Sequence, residues 1–280
     1  MANIEQNRDR WNKTYDWEGA GDEWSVDFGG TEALWFFIVY PRIHRFVPAR
    51  TILEIAPGFG RWTQFLKAEC ESLHAVDVSQ KCIDHCATRF ASEAHLQFHV
   101  NDGTSLAMIP DNSIDFVFSF DSLVHVEKEV MQAYVSQLAR KLSADGIGFI
   151  HHSNLGGYPV RSKLVKRFNK LPSSSRATIS KDEKVKLAAN AVEAVLSINL
   201  QGNRGSSMTG ELFTEYCAGV GLRCISQELL NWGKGGCLID ALSVFTRRGS
   251  RWDRADQRLK NRRFVEMSSV VSNLAKLYCD

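Results

Sequence analysis

The feature that most constrains the fold is an alternation of short apolar runs and helix-like stretches between residues 51 and 151. An apolar run over 51–56 ends in the turn Pro57-Gly58-Phe59-Gly60, and a helix-like stretch follows over 61–71. Repeated strand and helix units of this kind indicate a parallel sheet with helices on both faces. The alternation predicts further strands at 73–78, 96–100, 114–120 and 147–151, and further helices at 80–91 and 127–142.

The pattern changes after the fifth predicted strand. A basic segment, Arg161 to Lys170, lies in a stretch that does not continue the alternation. Two strand-like runs at 223–230 and 237–245 are joined by a glycine-rich linker, and this spacing predicts an antiparallel hairpin. We therefore expect an N-terminal helical cap at 1–48, a core at 49–248 with an insertion at 158–205, and a C-terminal helix at 249–280.

Composition and charge narrow the class of protein. The chain has 280 residues, of which 44% are hydrophobic, so a sizeable core can form. The 34 basic residues nearly balance 32 acidic ones, and the net charge of +2 gives no reason to expect a nucleic-acid partner. The apolar run at 33–40 is too short to cross a bilayer. Seven cysteines without a paired framework fit a reducing compartment, so we expect a cytoplasmic protein.

Three residues at helical spacing, Cys82, His85 and Cys86, have the side chains of metal ligands. A fourth ligand is missing, and the flanking sequence matches no zinc pattern. We therefore interpret the two cysteines as buried thiols on a helix and expect no metal site.

The turn after the first strand indicates the class of ligand. In an open parallel sheet, ligands bind at the carboxyl ends of the strands. A dinucleotide-binding turn needs a third glycine, but Thr63 stands at that position, after the bulky Trp62. Asp77 ends the second strand, where a carboxylate can accept hydrogen bonds from both hydroxyls of a ribose. These features favour a nucleoside without a pyrophosphate.

Four short motifs follow one another at the strand ends: Glu54 to Gly60, Asp77, Asn101-Asp102-Gly103 and residues 115–121. In this order and spacing they resemble the motifs of the class I S-adenosylmethionine-dependent methyltransferases, with Ala56 where many members have glycine. The resemblance covers residues 50–152, and the hairpin extends it. It implies an α/β fold with a Rossmann-like, mostly parallel seven-stranded sheet that ends in an antiparallel hairpin.

Other segments resemble one subgroup of these methyltransferases. Tyr15-Asp16-Trp17, residues 21–25, Pro41-Arg42-Ile43 and residues 54–63 are together similar to bacterial methyltransferases of polysaccharide clusters. One of these is the methyltransferase domain of the kinase and methyltransferase that terminates O-antigen chains. This chain has no room for that kinase, so the resemblance is partial and does not establish the acceptor.

The resemblance implies that S-adenosylmethionine is the cofactor. Gly58 and Gly60 would let the first loop approach its methionine part, and Asp77 would bind its ribose. Asp102 would accept a hydrogen bond from its adenine amino group. The residues implied in cofactor binding are Tyr15, Trp24, Glu54, Ala56, Pro57, Gly58, Gly60, Asp77, Val78, Asp102, Gly103, Thr104, Phe120, Asp121 and Ser122.

Three of these aromatic residues have an alternative interpretation. Tyr15 and Trp24 precede the sheet, where an aromatic face could attract the sulfonium or could serve packing alone. Phe120 follows the fourth strand and could belong either to the wall of the methyl-donor pocket or to the core.

Transfer of a methyl group to an oxygen acceptor benefits from a general base, and histidine suits that task near neutral pH. His125 follows the fourth strand, and His151 and His152 end the fifth. Because successive strand residues point to opposite faces, we expect one of the last two to face the pocket. We choose His125 and His152 as the catalytic candidates, with Asn154 as a residue that orients His152.

The acceptor is the least constrained part of the prediction. The substrate-binding candidates are Arg161, Asn154 and Arg204. The two arginines could bind an anionic acceptor, although a solvated basic face is an equally good interpretation. We expect an O-methyltransferase that acts on a hydroxyl or phosphate of a sugar-type or other anionic small acceptor. The alternatives are a methyltransferase for a small natural product and a non-catalytic binding protein. The C-terminal region could also form a homodimer contact.

Overall fold

The computed structural model of the protein describes residues 4–158, 204–232 and 237–279. The strands in these ranges form a single sheet. They are β1 (Ala49–Ile55), β2 (Cys70–Asp77), β3 (Leu96–Val100), β4 (Ile114–Ser119), β5 (Leu142–Ser153), β6 (Leu222–Leu230), β7 (Asp240–Arg247) and β8 (Gln257–Asn261).

The strand order is β3-β2-β1-β4-β5-β7-β6-β8. The first five strands are parallel to one another, and β7 runs antiparallel to both β5 and β6. The predicted Rossmann-like sheet with its antiparallel hairpin is therefore confirmed. Chain order reverses between β1 and β4, so the loops after these two strands flank the crevice in which such sheets bind ligands.

Helices pack on the sheet and over its carboxyl edge. Short 3-10 turns lie at Asp22–Phe28, Lys67–Glu69, Leu123–His125 and Leu155–Gly157, and π-helical turns lie at Arg10–Thr14 and Trp35–Val39. The α-helices are α1 (Ile4–Asp9), α2 (Thr31–Leu34), α3 (Tyr40–Ile43), α4 (Thr63–Leu66), α5 (Gln80–Arg89), α6 (Lys128–Lys141), α7 (Gly210–Gly219) and α8 (Phe264–Tyr278).

Both faces of the central strands are buried because their residues alternate between two apolar clusters. On one face, Phe116 and Phe118 belong to the cluster that includes side chains of α2 and α8. On the other face, Leu53 and Val117 belong to the cluster that includes α6 and α7. The near-continuous apolar runs in the sequence reflect this burial on two sides.

The C-terminal region differs from the prediction of a seven-stranded sheet followed directly by a helix. Gln257–Asn261 forms β8, which pairs in parallel with β6, and α8 begins only at Phe264. The edge of β6 offers backbone N–H and C=O groups that need partners, and β8 supplies them. Arg258 Nη1 adds a 2.8 Å hydrogen bond to Glu211 Oε1. The apolar periodicity that predicted a helix therefore applies to residues 264–278.

Within the described ranges, no helix combines the length and apolar character that a bilayer crossing requires.

Candidate active site

A cavity of about 450 Å³ lies at the carboxyl ends of β1, β2 and β4. Pockets that hold small ligands or cofactors have volumes of roughly 300–1,000 Å³. Its walls come from the loop after β1, the end of β2, the loop after β4 and the N-terminal segment that precedes the sheet. The cavity is therefore at the crevice that the strand order predicts.

The loop after β1 approaches the cavity through an unusual backbone. Ala56, Pro57 and Gly58 line the wall, and φ is 60° at Ala56 and 59° at Gly58. A Cβ atom at Gly58 would lie 3.0 Å from the ring of Trp17, so a side chain there would crowd the wall. Gly60 does not line the cavity, but it lies beneath the loop against the Phe90 ring.

Glu54 supports this loop from below. It is fully buried near the end of β1, and its Oε2 accepts a 2.6 Å hydrogen bond from Thr63 Oγ1. Its Oε1 has no hydrogen-bond partner among the described residues. Burial raises the pKa of the Glu54 carboxyl to about 8, so the group is mostly protonated at neutral pH. Glu54 is not part of the cavity wall.

Asp77 places a carboxylate on the wall at the end of β2. Its Oδ2 accepts a hydrogen bond from Gly58 N at 3.2 Å, and its Oδ1 accepts one from Ser79 N at 2.8 Å. Burial raises the pKa of Asp77 to about 6, although these backbone hydrogen bonds act in the opposite direction. The side chain is thus held in place between the first loop and the start of α5.

The loop after β3 brings one of its three predicted residues to the wall. Gly103 lines the cavity, where a Cβ atom would lie 2.5 Å from Ile4 Cγ2. Asp102 and Thr104 do not line it. The Asp102 Oδ1 atom accepts hydrogen bonds from the backbone N of Thr104 and Ser105 at 2.8 and 2.7 Å, which lower the pKa of Asp102. Asp102 therefore closes the turn that presents Gly103.

The loop after β4 forms the opposite wall. Asp121 and Ser122 line the cavity, and Ser122 Oγ donates a 2.9 Å hydrogen bond to Ala56 O, which joins the two main loops. The φ of Asp121 is 61°. His125 lines the same wall one turn later. Phe120 is instead buried in the core, where its carbonyl accepts a 3.1 Å hydrogen bond from Trp62 Nε1.

Comparison with known proteins agrees with this architecture. Residues 52–146 match the family model described as a methyltransferase domain. Magnesium protoporphyrin IX methyltransferase from Synechocystis PCC 6803, solved with bound SAH, is 14% identical, with a TM-score of 0.55 over 88% of this chain and 100% of that chain. A protein from Pyrococcus horikoshii OT3 is 16% identical, with a TM-score of 0.51 over 86% and 96%. No curated protein matches the chain in sequence.

The fold is that of the class I S-adenosylmethionine-dependent methyltransferases. The match to the methyltransferase-domain model covers about a third of the chain, and the first loop, Asp77 and the loop after β4, which surround one cavity, lie within it. A methyltransferase from Leishmania major has the same fold, with 10% identity and a TM-score of 0.53 over 87% of this chain and 82% of that chain.

The N-terminal segment covers the cavity with indole rings. Trp11, Trp17 and Trp24 line the wall. Tyr15 does not line it, but packs behind these rings, with its centroid 5.0–5.1 Å from theirs, and its hydroxyl donates to Glu23. The sequence predicted contacts from Tyr15 and Trp24. Only the high density of aromatic residues in this segment could have pointed to Trp11.

The sequence analysis also missed Arg61, which directly follows the glycine turn and lines the cavity. Its side chain is nearly fully buried between Trp24 and Trp62, with the guanidinium carbon 5.3 and 4.5 Å from their ring centroids. Its Nη2 donates a 3.0 Å hydrogen bond to Asp121 Oδ2. The position after Gly60 was the only available signal.

His152, the second catalytic candidate, lies away from the cavity. It is fully buried, its Nε2 is 2.8 Å from Ser243 Oγ, and its ring stacks on Phe213 at 4.7 Å. Burial lowers the pKa of His152 to about 4. The strand alternation turns its neighbour, His151, towards the cavity side, where that ring contacts Trp232.

The residues predicted to bind the acceptor have different positions. Arg204 lines the cavity. Asn154 does not: its Nδ2 donates to Leu238 O at 2.7 Å, and its Oδ1 accepts from Gly210 N at 2.8 Å, so it joins two structural elements. Arg161 lies outside the described residues.

The cysteine and histidine cluster on α5 supports the first loop. The Cys86 thiol donates to Gly58 O at 3.2 Å, and the His85 ring stacks on Phe59 at 3.8 Å. Across the described parts of the chain, no three side chains of metal-ligating type come together as a site.

Proposed function

We propose that the protein is an S-adenosylmethionine-dependent O-methyltransferase that methylates a hydroxyl or phosphate oxygen of a small, sugar-type or otherwise anionic acceptor. The observation that supports it most is that one cavity joins Asp77 to His125. Asp77 offers a carboxylate to the hydroxyls of a nucleoside. His125 offers a side chain of the type that exchanges a proton near neutral pH.

The cofactor side of the cavity has the groups that this nucleoside needs. Asp77 would hold the ribose, the loop at Pro57 and Gly58 would face the methionine part, and Gly103 would face the adenine. The absence of side chains at the two glycines lets Trp17 and Ile4 pack against the backbone of the wall, because a Cβ atom at either position would crowd them. No phosphate-binding arginine or lysine is required for such a ligand.

When bound, S-adenosylmethionine supplies a methyl group on a positively charged sulfur. The chain must align the acceptor oxygen and exclude water from it. The tryptophans of the N-terminal segment would provide the exclusion, and His125 would take the proton of an acceptor hydroxyl at an imidazole nitrogen.

The acceptor side combines indole rings with polar groups. Trp24, Trp232, Asp27 and Arg204 line the cavity, and we assign them to the side that would receive the acceptor. Flat apolar faces beside hydrogen-bonding groups suit the ring and hydroxyls of a sugar. Arg204 pairs with Asp240 at 2.7 Å, so the charge of this wall is partly balanced. An anionic group on the acceptor would use Arg204 and Arg10, which also lines the cavity.

The test combines binding with an acceptor panel. Calorimetric titration with S-adenosylhomocysteine should show binding, and S-adenosylmethionine should be turned over with neutral sugars, sugar phosphates or nucleotide sugars. Absence of binding would remove the proposal. Turnover restricted to phenols or amines would favour a natural-product acceptor, and binding without turnover on any acceptor would favour a non-catalytic role. The glycan acceptor, a homodimer and a cytoplasmic location stay predictions.

Cofactor affinity is expected to depend on the ionisation of Asp77. The pKa of Asp77 is raised to about 6 by burial, and the ionised carboxylate accepts hydrogen bonds more strongly than the protonated carboxyl group. At about pH 5 roughly a tenth of the groups is ionised, so affinity for S-adenosylhomocysteine should rise about tenfold between about pH 5 and about pH 7. Titrations across this range should show the rise for the wild type and a flat profile for Asp77→Asn. A flat wild-type profile would contradict the prediction.

Because the pKa of Asp77 is raised in the folded chain, the contribution of Asp77 to the free energy of unfolding falls as the pH rises. Between the ordinary pKa of 3.8 and about 6, the unfolded chain releases a proton that the folded chain still holds. The cost of burying the charge is therefore fully present above about pH 6. Asp77→Asn should accordingly not lose stability near pH 7 through the loss of charge.

Replacing His125 by phenylalanine is expected to lower the turnover number by about 100-fold, within the range that a positioned base contributes. Phenylalanine keeps a ring against Trp11, whose centroid lies 5.7 Å from that of His125. Affinity for S-adenosylhomocysteine should stay within about twofold of the wild type. His152→Phe is the matched control, because His152 lies outside the cavity. An equal loss of turnover in both variants would contradict a base role for His125.

A further inference from the structure

One buried carboxylate, that of Asp240, contacts two side chains that lead to the cavity wall, Arg204 and His151. Asp240 begins β7 and is fully buried. The Nε and Nη2 atoms of Arg204 donate to its two carboxylate oxygens at 2.7 Å each. His151 Nε2 lies 3.3 Å from Asp240 Oδ2. Burial by itself would raise the pKa of Asp240, but Arg204 and His151 outweigh it and lower that pKa below its ordinary value.

His151 extends this contact to the loop after β4. Its Nδ1 accepts a 3.1 Å hydrogen bond from the backbone N–H of Asp121. A ring nitrogen that accepts carries no hydrogen, so the neutral imidazole carries its hydrogen on Nε2, the atom nearest Asp240. That Nε2 atom forms no well-aligned hydrogen bond among the described residues. The His151 ring is thus oriented by the Asp121 amide on one side and by Asp240 on the other.

The Asp121 backbone needs such support. Its φ of 61° places a residue with a side chain in the left-handed region, which persists only where the surroundings hold it. The residues that follow on this loop include Ser122 and His125, which line the cavity. A shift at Asp121 would therefore displace both.

Asp240 also reaches this loop through Arg204. Gly205, next to Arg204, donates its backbone N–H to Val124 O at 2.8 Å. Ser207 N donates to Glu127 Oε2 at 2.9 Å. The chain at 204–207 therefore lies against residues 124–127, and Asp240 holds it there by the bidentate ion pair.

We propose that Asp240 and His151 are positioning residues that hold the loop Asp121–His125 in the geometry that the cavity requires. Asp240 acts from two sides, through His151 on the Asp121 amide and through Arg204 on the chain beside Val124. This inference rests on the proposed function for its consequence in cofactor binding, but the loop geometry can be measured without any ligand.

The matched variants are His151→Phe and His152→Phe, together with Asp240→Asn. The two histidines are adjacent, fully buried and on opposite faces of β5, so the same substitution separates positioning from burial. Hydrogen exchange of the Asp121 amide should be at least about tenfold faster in His151→Phe and in Asp240→Asn. The first variant removes the acceptor of that amide, His151 Nδ1, and the second releases the ring that carries it. It should stay unchanged in His152→Phe. Affinity for S-adenosylhomocysteine should fall roughly 5- to 10-fold in the first two only.

A double variant separates charge from position. Asp240→Asn leaves the buried Arg204 cation without its carboxylate, which destabilises a protein strongly, whereas the added Arg204→Met removes that cation. The double variant should recover thermal stability over Asp240→Asn, while Asp121 exchange stays fast. Recovery of slow exchange together with stability would show that Asp240 acts on stability alone, and would overturn the proposal.

The remaining outcomes distinguish the positioning role from the proposed function. Unchanged Asp121 exchange in folded His151→Phe and Asp240→Asn would overturn the positioning role, whether or not the wild type binds S-adenosylhomocysteine. Fast exchange in these variants with no wild-type binding would leave the positioning of the loop established and remove the proposed function. Fast exchange with unaltered affinity would overturn the consequence for cofactor binding.

Discussion

Replacing Asp77 by alanine is expected to weaken the binding of S-adenosylhomocysteine by at least about 100-fold. A hydrogen bond to a charged group contributes about 1.5–3 kcal/mol, and two ribose hydroxyls would lose their acceptor together. A change of about 1.4 kcal/mol corresponds to tenfold in affinity, which gives the expected factor. Titration calorimetry near neutral pH on the folded variant measures it directly.

Two control variants locate the effect at Asp77. Asp77→Asn keeps one acceptor oxygen, which can serve the backbone N–H group of either Gly58 or Ser79, and should weaken binding by about tenfold. Asp84→Ala removes an exposed carboxylate on the neighbouring α5 and should leave the affinity unchanged. If Asp77→Ala binds S-adenosylhomocysteine as the wild type does, the assignment of the ribose site is wrong.

Gly60→Ala is expected to lower the free energy of unfolding by about 2–4 kcal/mol. The φ of Gly60 is 85°, where a side chain strains the backbone. The new Cβ atom would also lie 2.5 Å from Phe90 Cε2 and 3.4 Å from Cys86 Sγ. The Phe90 ring is buried and stacks near Phe98, so it has little room to move. Thermal unfolding should show a Tm lower by roughly 2–4 °C per kcal/mol.

Gly219 provides the matched glycine for this experiment. It lies at the C-terminal end of α7, and a Cβ atom there would have no neighbour within 4 Å. Gly219→Ala should leave the stability unchanged or raise it by up to about 1 kcal/mol. Adding Phe90→Leu to Gly60→Ala should restore part of the loss if the clash contributes to it. A Tm of Gly60→Ala equal to that of the wild type would contradict the geometry of the first loop.

Much of the fold could be predicted because the responsible signals are local. The apolar run before Pro57 and the positive-φ glycines of the first loop lie within a few residues of one another, and the acid at the end of β2 directly follows its own apolar run. Burial on both faces requires apolar strands, and the turn between β1 and α4 requires small residues. The order of these units then leads to a parallel sheet, and hence to a crevice at its carboxyl edge.

Contacts within the site were predicted less well because they join distant parts of the chain. The alternation along β5 placed His151 and His152 on opposite faces, but it did not say which face meets the cavity. The packing of Phe213 of α7 against His152 settled that orientation. Similarly, Asp102 lies beside the expected adenine site in sequence, yet its carboxylate closes its own turn.

The sequence alone determined the βα order, the first loop and Asp77, because strand periodicity and backbone sterics are properties of neighbouring residues. Only the tertiary structure decided that β8 closes the edge of β6, that Trp11 and Arg61 line the cavity, and that Asp240 meets Arg204 and His151. Each of these contacts depends on how helices and strands from separate segments pack. Such packing is a sum over many small apolar and polar contacts that no single stretch of sequence contains.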